Sequence, residues 1–188
     1  MITYWNPLPT AQRLVAADVY PTFTGNWAER KSRNVPGPFY AAETDTLQAT
    51  RGDAPDHIAY DNDLGGGFGW EFVYRQPVNE AETGNLVSAA RVDGYCGYGW
   101  DGDDHWTVEA VRDWWGERGG LREWAVELAG EWAGNTHPLY HGHYHDGARG
   151  LRDFVAYLDD GLEQYLRGYM FWLAEGREPR AGDSAPDL

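Results

Sequence analysis

From Leu151 to Leu173 apolar side chains return at intervals of three and four: Leu151, Phe154, Val155, Leu158, Leu162, Tyr165, Leu166, Tyr169 and Leu173. That phase is the period of a helix, since a strand alternates every two residues. Six turns of it make a rod of roughly 34 Å at about 1.5 Å per residue, whose apolar stripe must lie on a platform built by the rest of the chain. Asp146 is expected to cap the rod, and because the phase carries through Gly161 the sequence predicts one continuous helix. Two further helices precede it. Thr107 is placed to cap a segment running to about Gly116, with Glu109 in the first turn where the helix dipole favours an acid. The next carries Leu121, Trp124, Ala125, Leu128 and Trp132 on one face and ends near Gly134.

The platform has to come from the first hundred residues, which Pro, Gly and Asn punctuate. One short helix is expected from Ala11 to Val19 behind Thr10, then a long ordered loop, "PTFTGNWAERKSRNVPGPFY". Strands are expected in "FYAAETDTLQ", "DHIAY" and "GWEFVYRQ", the last having the aromatic and β-branched content of a sheet strand. "NEAETGNLVSAAR" reads as a weak helix, and "DGYCGYGWDGDDHW" as a turn-rich connection. The chain of 188 residues is long enough for one compact domain and short for two. The fold class predicted is therefore α+β: a single domain over residues 1–175, with a small antiparallel sheet in the N-terminal half packed against three C-terminal helices. Residues 176–188, polar and proline-rich, are expected to form a flexible tail.

Charge narrows the function classes. Thirty acidic against fifteen basic residues leave a net charge of -15, which repels nucleic acid and anionic membrane and attracts basic partners. Lys31 is the single lysine, and the Ala, Gly, Asp and Arg content is what G+C-rich codons impose, so composition accounts for part of the acidity. One cysteine, Cys96, excludes an internal disulfide framework and an iron–sulfur cluster held by several cysteines of this chain. No stretch approaches the roughly 20 apolar residues of a membrane span, and "MITYWNPLPTAQ" lacks the character of a signal peptide, so a cytoplasmic location is expected.

Four features could carry chemistry. "HPLYHGHYHD" gathers four of the six histidines. If it is extended, His141, His143 and His145 share a side; if helical, His137, His141 and His145 do. Three imidazoles with an open position are a common zinc arrangement, with Asp146 as a further ligand or orienting group, and a zinc-dependent hydrolase follows as one function class. The competing reading of the stretch is a solvated loop, since Gly142 and Pro138 disfavour a regular helix. "DNDLGGGFG" fits neither a calcium nor a phosphate loop and reads as a hairpin connection. "DGDDHW" places Asp101, Asp103 and Asp104 beside His105, a set suited to a cation, to acid–base chemistry or simply to a helix start. Finally, Glu109, Asp113 and Glu117 recur every four residues, as do Glu123, Glu127 and Glu131, making two acidic stripes opposite the apolar faces. Like charges at that spacing cost about 0.2–0.5 kcal/mol per pair, which local stability does not explain. They are expected to meet a basic protein partner, with Trp115, Trp124 or Trp132 as aromatic anchors.

"NVPGPFYAAETDT", "APDHIAYD", "EFVYRQP", "CGYG", "HWTVEAVRDWW" and "LRDFVAYLDDGLEQYLRGY" together resemble a family of uncharacterised proteins from high-G+C actinobacteria, some of them labelled ferredoxin. The likeness runs over nearly the whole chain and implies a source and a compartment, but no site residues; the ferredoxin label is at odds with a single cysteine. The function expected from the residues is an acidic cytoplasmic protein that binds and neutralises a basic partner, as an immunity or inhibitor protein does. The zinc hydrolase is the alternative, and aromatic stacking on a sugar a third class.

Overall fold

A computed structural model describes residues 2–64, 69–184 and 186–188. The fold is α+β, mostly helical, with its strands antiparallel. Strand β1 (Tyr40–Ala41) pairs with β4 (Tyr98–Gly99), Tyr40 opposite Gly99; strand β2 (Ile58–Tyr60) pairs with β3 (Glu71–Val73), Ile58 opposite Val73. The strands are shorter than the sequence predicts. "FYAAETDTLQ" leaves its ladder after Ala41 because Asp45 bends the backbone, its Oδ1 accepting from the N–H of Leu47 at 2.9 Å. Conversely, the expected turn "DGYCGYGWDGDDHW" contributes β4.

Side chains join the two ladders. Asn34, buried between them, donates from Nδ2 to the carbonyls of Lys31 and Ala41, and its Oδ1 accepts from the N–H groups of Ala41 at 2.9 Å and Val73 at 2.8 Å. Gln76 acts likewise, accepting from Phe39 N–H and donating to the carbonyls of Val35 and Phe39. A buried amide group is tolerated only when its hydrogen bonds are made, and these two meet that condition.

Helix α1 spans Leu8–Val15, three to four residues ahead of expectation. Asn6 rather than Thr10 marks its start, accepting from the N–H of Leu8 at 3.0 Å, and Thr10 is buried inside the helix. Helix α2 (Glu80–Val92) has a reciprocal start: Asn79 accepts from the N–H of Glu82 at 2.9 Å, and Glu82 accepts from that of Val78 at 3.0 Å. Helix α3 (Val108–Gly116) is capped by Thr107, as read from the sequence, its hydroxyl accepting from Ala110 N–H at 3.1 Å. Helix α4 (Arg118–Ala133) ends at Gly134 and buries Ala125, Leu128, Ala129 and Trp132.

The long apolar phase is two helices, α5 (His141–Asp159) and α6 (Leu162–Glu175), broken at Gly161, where φ is +103°. The apolar face persists across the break: Leu158, Leu162 and Leu166 are all buried. Phase survives because both helices face the same core, so periodicity alone could not reveal the bend. Asp146 is not the cap of this element. Helix α5 begins five residues earlier, with Gly142 exposed in its first turn and Gly147 packed against α4. At Gly147 a Cβ would stand 2.6 Å from the Trp132 ring, so the missing side chain lets α5 close onto α4. Further along, Phe154 meets Phe72 of β3 edge-on at 5.3 Å, seating α5 on the sheet.

Beyond α6 the chain runs back along the helices. Arg177 pairs with Asp183 at 2.8 Å, while Arg167 and Arg112 donate to the carbonyls of Pro186 and Asp187. Among the described residues no helix is long and apolar enough to cross a membrane.

Candidate functional site

The acidic stripes stand on α3 and α4 with every member exposed: Glu109 and Asp113 on the first with Glu117 at its junction with the second, and Glu123, Glu127 and Glu131 on the second. None of the six takes part in an ion pair or hydrogen bond through its carboxylate among the described residues. The arginines beside them bond elsewhere. Arg112 donates to the Asp187 carbonyl at 2.8 Å, Arg118 to the Trp115 carbonyl at 2.9 Å, and Arg122 holds Asp159 of α5 in a two-pronged pair at 2.7 and 2.8 Å. Hydrogen-bonding to Asp159 raises the Arg122 guanidinium above its ordinary value and lowers Asp159, as a committed pair requires. The stripes thus keep their charge uncompensated. The expected aromatic anchors fare differently. Trp132 is 1% exposed and belongs to the core, so it cannot touch a partner. Trp115 and Trp124 are half-buried, each with an arginine over its ring: Arg118 at 4.0 Å and Arg33 at 4.1 Å.

The histidines do not converge. They start a helix, so His141 and His145 lie one turn apart on the same face, their rings 5.9 Å apart and nearly perpendicular. His143, two residues on, is carried to another side, where with Tyr140 it lines a cleft against Thr46, Leu47 and Gln48. His137 accepts from the N–H groups of Leu139 and Tyr140 through Nδ1 and stacks on Tyr140. Asp146 faces away toward Arg51, 3.4 Å from its Nε, and Arg149. Helical spacing therefore keeps His141 and His145 together but sets the other expected zinc ligands, His143 and Asp146, apart from them, and among the described residues no three His, Cys, Asp or Glu side chains are placed to hold a metal ion.

The acids of "DGDDHW" diverge as well. Asp101 accepts from the Tyr40 hydroxyl at 2.6 Å and contacts His105 Nε2 at 3.1 Å; these hydrogen bonds outweigh burial and lower its pKa. His105 stacks on Trp27 at 4.7 Å, with Arg30 also over that ring at 4.0 Å. Asp103 turns instead into the helices, accepting from Tyr169 and Trp172 at 2.9 Å each, with burial raising its pKa. In "DNDLGGGFG" the hairpin is present and Asp61 closes it, accepting from the N–H groups of Asp63 and Trp70. Burial raises Asp61 to about 6. The glycines at 65–67 lie outside the described residues.

Sequence reading missed a buried polar centre. Glu71 on β3 is fully buried, and the Tyr98 hydroxyl of β4 donates to its Oε2 at 2.6 Å, with Thr50 Oγ1 3.2 Å from that hydroxyl. Desolvation raises the Glu71 carboxyl to about 8, against the hydrogen bonds of Thr50 and Tyr98, and its Oε1 has no partner. Around it Asp93 accepts from the N–H groups of Asp45 and Gly97, while Asp45 accepts from those of Leu47 and Gly94, so two loops brace each other. The signal was present in "GWEFVYRQ": a glutamate between Trp70 and Phe72 in a strand too apolar to have a wet face. Being closed to solvent, the centre organises the fold rather than meeting a substrate. Comparison with protein-family models, curated proteins and solved structures finds no match to this chain.

Proposed function

We propose that the chain is an acidic cytoplasmic interaction protein that binds and neutralises a basic protein partner, in the manner of an immunity or inhibitor protein. One observation carries the reading: six carboxylates on α3 and α4 are exposed and unpaired while Arg112, Arg118 and Arg122 beside them bond elsewhere. An acidic face maintained at a local energetic cost speeds encounter with a positive surface and rejects negative ones. The test replaces Glu109, Asp113 and Glu117, and separately Glu123, Glu127 and Glu131, with Gln or Asn and measures capture of basic proteins from native lysate at low and high salt. Capture by the parent should fall with salt, and each triple variant should lose it by roughly tenfold while melting as the parent does. Capture that is insensitive to salt and to both triples would overturn the reading.

A further inference from the structure

The break at Gly161 opens a cavity of about 310 Å³ between the N-terminal segment, the end of β3 and the α5–α6 junction. Its walls are aromatic, with Tyr4, Trp5, Tyr157 and Tyr165 around it and Arg75 at its edge. A pocket of some 300 Å³ lies at the small end of those that hold small molecules, which excludes a nucleotide-sized occupant and admits a single ring.

Thr3 and Gln164 also line the cavity, and three of its other residues, Arg75, Tyr157 and Trp5, carry N–H or O–H donors that make no hydrogen bond among the described residues. The Arg75 guanidinium makes no hydrogen bond among the described residues; its nearest acid is Glu82, with Oε1 4.0 Å away. That carboxylate is already occupied as part of the α2 start, accepting from Val78 N–H at 3.0 Å and from Asn79 Nδ2 at 2.9 Å. Arg75 lies 5.7 Å from the Tyr157 ring centre. The Tyr157 hydroxyl and the Trp5 indole N–H likewise have no hydrogen-bond partner among the described residues. Arg51, Arg91, Arg122, Arg167 and Arg177 are bonded to carboxylates, whereas Arg75, ion-paired to Glu82 only at 4.0 Å and 37% exposed, keeps donor positions open at the cavity. Arginine stays charged at any working pH and matches a carboxylate in two-pronged geometry.

We infer that this cavity is a binding site for a small planar monocarboxylate, its ring held among Tyr4, Trp5, Tyr157 and Tyr165 and its carboxylate on Arg75. The acidity of the rest of the surface limits the ligand to one negative charge, since that field is screened only beyond about 8 Å at physiological salt. It also makes the Arg75 contact the feature that separates the acid from its neutral and cationic isosteres. Gly161 sets the shape: a Cβ there would approach the Tyr157 ring to 3.3 Å.

The site is tested by titrating the full chain with benzoate, benzamide and benzamidine, reading the indole N–H resonances by NMR, with the Trp5 signal assigned through Trp5→Phe. Benzoate should saturate and move the Trp5 signal, benzamide should bind at least tenfold more weakly, and benzamidine should not bind. Arg75→Gln should remove the preference for benzoate over benzamide. Tyr157→Phe, which keeps the ring, should weaken benzoate several-fold and carries the same test if Arg75→Gln does not fold. Equal binding of the three probes, an unmoved Trp5 signal, benzoate binding unchanged in both variants, or no saturation up to about 10 mM, a concentration weaker than any useful site, would overturn it. The acidic-face triples of α3 and α4 should bind benzoate as the parent does, so failure here is separate from failure of the partner reading.

Discussion

Burial at Glu71 turns an ordinary acid into one that keeps its proton at neutral pH, and the consequence for stability has a definite direction. The carboxyl titrates near 4.5 when solvated and at about 8 in the fold, so between those values the folded state binds more protons than the unfolded one. Stability therefore falls as pH rises through that window and levels off above it. Glu71→Gln keeps the shape and removes the titration. Its melting temperature should match the parent near pH 5 and exceed it near pH 9 in thermal unfolding across that range; equal curves at both ends would show that the site is wetter than its packing implies. At this scale the sequence was readable where a residue acts on its neighbours, as Thr107 does on Ala110. It was silent where the partner is far along the chain: nothing near Glu71 announces Tyr98 or Thr50, and nothing near Arg75 announces Tyr157.

Helices were legible to the extent that local chemistry decides their ends. The Thr107 cap and the Gly134 stop fall where expected, but the start of α5 and the break at Gly161 do not, because packing decides both. A continuous apolar stripe is compatible with a bend whenever both halves face one core, and of the glycines of α5 it is Gly147 at which α4 comes close, while Gly150 makes room for Arg51. Two substitutions separate these effects. Leu162→Ala, at a position with no exposure, should cost about 2–5 kcal/mol in urea unfolding, and a loss under about 1 kcal/mol would mean that α6 is not seated on the core. Gly161→Ala should cost about 1–3 kcal/mol, because a residue with a Cβ rarely adopts its positive φ. A neutral or stabilising Gly161→Ala would mean that the two helices can straighten into the single rod that the sequence suggests.

Across the whole molecule the charge is distributed unevenly in its effects: arginines cross-link helices and loops, while the acids of α3 and α4 are left over. Fold class could be read from composition and periodicity because one long helical face demands a platform. The sheet's extent could not, since its two ladders of two and three residues owe their union to Asn34 and Gln76 rather than to backbone pairing. That arrangement exposes the protein to chemical ageing. Side-chain chemistry cannot remove a backbone rung, but an asparagine amide is lost when the backbone nitrogen of the next residue, here Val35, attacks the side-chain carbonyl and expels ammonia, and water then opens the ring to an acid. Were Asn34 to deamidate before folding, its two N–H groups would be replaced by a carboxylate oxygen facing the carbonyls of Lys31 and Ala41. In the folded chain the Val35 N–H is held by the Val73 carbonyl at 2.9 Å, so this loss belongs to the unfolded chain, and a copy that suffers it meets two carbonyls with no donor to offer them.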